Sequence, residues 1–117
     1  MTYKEINSMI AAIATELKCD YAYHHFATPT APPFILFLYP DREDDYADNS
    51  NYNKVQPVDI LYCSDFADFT AENTIEWILD AMPATYRKLG PDYIEQEKMF
   101  QTTFEIEVLL TEEQSSK

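Results

Sequence analysis

The residues able to do chemistry are few. His24 and His25 are adjacent, and the two cysteines are Cys19 and Cys63. An imidazole can move a proton or bind a metal near neutral pH. Beside a thiol it can act as the base of a nucleophile pair. The spacing favours neither role. Residues 21–26 read as an aromatic-rich strand, and neighbours on a strand face opposite ways, so the two histidines are not expected to hold one metal together. Cys63 carries no signature of a catalytic thiol, and two cysteines lack both metal spacing and the number for a secreted disulfide framework. Reduced thiols at strand or helix ends are expected.

Carboxylates are the other candidates. Asp41, Glu43, Asp44, Asp45 and Asp48 could attract a divalent cation. They lack the alternating oxygen ligands, central glycine and terminal glutamate of a calcium loop, and a solvated, self-repelling loop is the better reading. Tyr46 and Tyr52 sit in the same polar stretch, where core packing does not account for them. Tyrosine there offers contact area and a hydroxyl at low entropic cost. Asp41, Arg42, Glu43, Asp44, Asp45, Tyr46 and Tyr52 are therefore the candidate protein-interface loop. Glu95, Glu97, Glu105 and Glu107 are expected on one face of a terminal strand. A row of like charges keeps a sheet face soluble more simply than it makes an acid–base pair. No catalytic residue, metal ligand or cofactor is expected.

The elements that would carry these residues follow from periodicity. Thr2 and Glu5 form a capping-box pattern, after which Ile6, Met9, Ile10, Ile13 and Leu17 recur at helical spacing, with an end near Lys18. Pro29, Pro32 and Pro33 make a rigid connection. Residues 34–39 are an uninterrupted apolar run stopped by Pro40, which predicts a central strand covered on both faces, by helices on one and by a neighbouring subunit on the other. Residues 41–53 read as a loop. Val58, Ile60 and Tyr62 alternate as a third strand. A second helix is expected from about Thr70, burying Ile75, Ile78, Leu79 and Met82, with Trp77 to one side and Pro83 ending it. Residues 86–89 suggest a short strand before a Gly90–Pro91 turn. Phe100, Thr102, Phe104, Ile106, Val108 and Leu110 then share one face of a long half-buried strand. The expected fold is α+β, a mostly antiparallel sheet of about four strands packed by two helices in the order α-β-β-β-α-(β)-β. The first three strands are expected as a meander. Residues 1–110 form one domain and 111–117 a solvated tail.

Composition narrows the function classes. The chain has 117 residues, 21 Asp and Glu against 8 Lys and Arg, and a net charge of −13. That excludes the clustered basic surface that phosphate backbones or anionic membranes require. The single glycine, Gly90, argues against a glycine-rich phosphate loop. No basic head precedes an apolar stretch, so a signal peptide is not expected, and the 34–39 run is too short to cross a bilayer. A cytoplasmic protein follows as the expectation.

One stretch carries a resemblance. Residues 92–108, DYIEQEKMFQTTFEIEV, are similar to the C-terminal strand of small tail-completion or tail-terminator-like proteins (minor capsid proteins) of siphophages and prophages of Gram-positive bacteria. The 33–40 and 58–62 strands and the acidic loop between them also resemble that group, so the likeness spans most of residues 1–110. It rests on strand patterns and not on chemical signatures. It implies an α+β subunit that caps the tail tube as a six-membered ring and meets tail and connector proteins. The chain would be found in the host cytoplasm during assembly and then at the virion tail or head–tail junction. It implies no catalytic residue. The alternative reading is a small acidic DNA mimic that inhibits a nucleic-acid-binding protein, which predicts two rows of carboxylates spaced like phosphates.

Overall fold

A computed structural model of the chain describes residues 1–41, 54–82 and 84–110. The first element is α1, Tyr3–Leu17. Its capping box is formed as the sequence predicts: Glu5 N donates to Thr2 Oγ1 at 3.1 Å, and Thr2 N donates to Glu5 Oε1 at 2.9 Å. Ile6, Met9, Ile10, Ile13 and Ala14 are its buried stripe. Lys18 closes it in the left-handed region at φ 56°.

Five strands and a second helix follow: β1 (Asp20–Tyr23), β2 (Phe34–Leu38), β3 (Lys54–Ser64), α2 (Phe69–Asp80), β4 (Ala84–Ile94) and β5 (Met99–Leu110). They form one mixed sheet in the order β1-β2-β3-β5-β4. The expected α+β class holds, with three corrections. First, β1 and β2 do not begin a meander. They run parallel, Asp20 opposite Phe34 and Tyr23 opposite Phe37. A hairpin would have joined them antiparallel through a tight turn; residues 24–33 instead carry the chain back, so that Phe34 starts beside Asp20.

The second correction concerns β4. The expected four-residue strand is an eleven-residue partner of β5. Gly90–Pro91 is no turn; it is an irregularity between Leu89 and Asp92, beyond which pairing with β5 resumes. Gly90 sits at φ +95°, and a Cβ there would meet Asp92 N and Gln101 O at 2.9 Å. Only glycine fits so close to two backbones. Third, the reversal falls at residues 95–98, where Lys98 N donates to Ile94 O at 2.7 Å.

The two helices lie on one face of the sheet. Ile35 and Phe37 of β2, Val58, Ile60 and Tyr62 of β3, and Phe104, Ile106 and Val108 of β5 meet Ile6, Ile10, Ile13, Ile75 and Leu79 in a single core. Because strand side chains alternate, Leu36, Leu38, Leu61, Thr103, Glu105 and Leu89 point to the other face. Registers place them side by side there: Leu36 opposite Leu61, Leu61 opposite Thr103, and Thr103 opposite Leu89.

Candidate protein-interaction site

The predicted interface loop is only touched by the described residues. Asp41 is exposed at the end of the β2 exit. Arg42, Glu43, Asp44, Asp45, Tyr46 and Tyr52 lie outside the described residues, as does the expected tail 111–117.

The histidines are not where strand geometry predicts. β1 ends at Tyr23, and His24 turns into the left-handed region at φ 71°. That turn rotates its ring back toward its neighbour, so the two Nδ1 atoms lie 3.1 Å apart on an exposed bend. The expectation of opposite faces is therefore corrected. Among the described residues no group of three or more His, Cys, Asp or Glu side chains could hold a metal ion.

Both thiols are held protonated. Burial, then the Cys63-facing charge of Glu97, pushes Cys63 up to about 11. Burial, then Asp20, does the same for Cys19. A thiol so shifted is a weak nucleophile at neutral pH. The four glutamates do not share a strand face either. Glu95 and Glu97 lie in the β4–β5 reversal, and only Glu105 and Glu107 are on β5.

Sequence reasoning missed the most buried charge. Glu72 lies in the first turn of α2, where an acid is ordinarily solvated, yet it is 1% exposed. Its signal was present: Glu72, Ile75 and Leu79 are spaced three and four apart, on the buried stripe. Thr102 Oγ1 donates to Glu72 Oε2 at 2.6 Å. Oε1 has no hydrogen bond of good angle, but the Lys88 ammonium lies 2.8 Å from it. Charge compensation needs the distance more than the angle, so Glu72 is paired. Lys88 also reaches Glu76 at 3.5 Å. The Glu72 bond first, then the two carboxylate charges, raises its pKa above the usual lysine value despite burial. This cluster ties α2 to β4 and β5. It is a structural joint whose carboxylate is closed off from solvent.

The uncovered sheet face is where polar groups gather near open space. Asp59, Glu105 and Arg87 stand abreast on β3, β5 and β4. Arg87 Nη2 donates to Glu105 Oε1 at 2.7 Å. Burial, then the Glu105 charge, raises the Asp59 pKa. These residues, with Pro40, Pro57 and Glu107, border an open hollow of about 470 Å³. Leu36, Leu38 and Leu61 continue the face toward β1 as half-buried apolar side chains. No described helix or strand packs on it. Such a surface, apolar at the centre with a paired and an unpaired carboxylate at its rim, can bind protein.

No helix among the described residues is long and apolar enough to cross a membrane. No protein-family model matches the sequence, and no curated protein matches it. Among solved structures, the fold is similar to a chain in the virion of a native gene transfer agent particle. The TM-score is 0.55 at 14% identity, covering 89% of this chain and 90% of that one.

Proposed function

We propose that the chain is a non-enzymatic structural or assembly component of a phage-like particle. Within that class it is a tail terminator or head–tail joining protein that caps the tail tube as a homo-hexameric ring. The observation that carries this reading is the one-sided sheet. The apolar run 34–38 on β2 has its helix-side residues buried, while Leu36 and Leu38 face a side that no described element covers. An uncovered central strand is the geometry expected of a subunit that completes its packing with neighbours. The likeness to a chain of a gene transfer agent virion supports the same class, since a subunit of this shape serves in such a particle. The strand resemblance to tail-completion proteins supports the finer role.

The DNA-mimic reading has less support. On the uncovered face Glu105 is neutralised by Arg87, and beyond the neighbouring Asp59 and Glu107 the face continues as Thr103, Leu61 and Leu89, which is one acidic cluster and not two rows of phosphate-spaced charges.

Composition of purified particles tests the proposal. The chain should copurify with particles through a density gradient, and gold-labelled antibody should decorate one end of the tail. Absence from washed particles would overturn it.

A further inference from the structure

The strongest unexplained feature is the outward ridge of α2. Phe69, Asn73, Trp77 and Ala81 follow one another four residues apart, so they form one ridge roughly 18 Å long. All four are exposed. Phe69 is 58% exposed, Trp77 75%, and Phe66 in the loop leading into the helix 57%. These are the three most exposed large apolar side chains among the described residues, and they lie within twelve positions of one another. The helix needs none of them for its own packing, which uses Ala71, Glu72, Ile75 and Leu79. Aromatic residues in this state are the usual anchors of protein interfaces.

The charge around them selects the occupant. Residues 65–80 contain Asp65, Asp68, Glu72, Glu76 and Asp80, with no Lys or Arg. Glu72 and Glu76 share Lys88, Asp68 caps α2, and Asp80 accepts from the Tyr86 hydroxyl at 2.8 Å. Neither of the last two bonds supplies a positive charge, and Lys88 is one cation against two carboxylates, so the flanks of the ridge stay negative. A second copy would bring the same acids against them, and an anionic lipid surface or a nucleic acid would be repelled.

We infer that the Phe69–Trp77 ridge, together with Phe66 just before the helix, is a docking surface for a different protein, one that presents an apolar groove flanked by Lys or Arg. Aromatic rings enter the groove, and the partner's cations meet Glu76, Asp80 and Asp65 and can lie over the Trp77 face. This deepens the assembly proposal by giving the chemistry of one partner, on a face opposite the uncovered sheet.

Trp77 is the chain's single tryptophan and therefore its own reporter. The full chain is titrated with a synthetic peptide of alternating Arg and Leu, and separately with the same peptide carrying Glu in place of Arg. The inference expects a blue shift of Trp77 emission with the Arg peptide alone, weakened by salt. A Phe66→Ser/Phe69→Ser variant, whose exposed positions leave the fold intact by circular dichroism, should bind about tenfold more weakly or worse. Leu109→Ser, on the uncovered sheet face, should bind as the parent does. No shift with the Arg peptide, an equal shift with the Glu peptide, or unchanged affinity in the double variant would overturn it. So would a blue shift on raising the protein concentration alone, which would assign the ridge to a second copy. Particle composition reads the assembly proposal separately, so either can fail without the other.

Discussion

Lys88 on β4 reaches into the helix–sheet seam and sets its ammonium 2.8 Å from Oε1 of Glu72 on α2, a carboxylate whose side chain is 2% exposed. The Thr102 hydroxyl holds the other oxygen. A charge this deep is tolerated only while both partners are present.

Lys88→Met should therefore cost about 2–3 kcal/mol in urea unfolding, less than a fully buried pair because Lys88 is partly exposed. Removing the whole cluster with Glu72→Leu, Lys88→Met and Thr102→Val should return stability to within about 1 kcal/mol of the parent. The pH dependence has a definite sign. Lys88 has a raised folded pKa, so its contribution is whole below pH 10.5 and fades as pH climbs through the raised value. The Lys88→Met variant should lack that alkaline decline.

Asp59 stands opposite Glu105 with its carboxyl pKa raised by burial and by that charge. A raised acid favours the protonated native state, so ionised Asp59 opposes folding at neutral pH. Asp59→Asn should stabilise the chain at pH 7, by up to about 1 kcal/mol. The difference should shrink as pH falls through the raised value and vanish below pH 3.8, where Asp59 is neutral in both states. Thermal melts from pH 3 to 8 would trace it.

Gly90→Ala should destabilise by about 1–3 kcal/mol, since φ +95° and two backbone atoms at 2.9 Å both reject a Cβ. Chemical unfolding checks this. An unchanged midpoint would mean that β4 does not need its irregularity.

Elements with their own periodicity were legible from the residues. The Thr2–Glu5 box and the Ile6–Ile13 stripe placed α1, and the Phe104–Val108 alternation placed β5 on its correct face. What escaped was set by distant contacts. The parallel pairing of β1 with β2 has no local signature, because the same residues would pair antiparallel after a turn. The full length of β4 is hidden because Gly90–Pro91 is the usual sign of a turn, whereas here the Gln101 backbone accepts the close approach of the glycine and the strand continues. Opposite faces for His24 and His25 hold only for a strand that runs on past Tyr23, and β1 ends there. On the uncovered sheet face, the two-sided apolar run on β2 points to a missing cover. The exposed Phe66 and Phe69 gave no warning, since apolar type alone does not say which way a side chain faces.

Net charge bears on self-association. At −13 per chain, six copies repel one another strongly unless a partner neutralises them. Sedimentation velocity at physiological salt and micromolar concentration should find a monomer or a weak, salt-promoted oligomer. A stable hexamer of the free chain would contradict ring formation on a partner.

The central proposal, a part that closes or joins the tail of a phage-like particle, is tested most directly by deleting the gene in a particle-producing host and imaging the product. Tails of uncontrolled length, or heads and tails left unjoined, are the predicted result, restored by supplying the chain in trans. Normal, full-length virions from the deletion strain would contradict it.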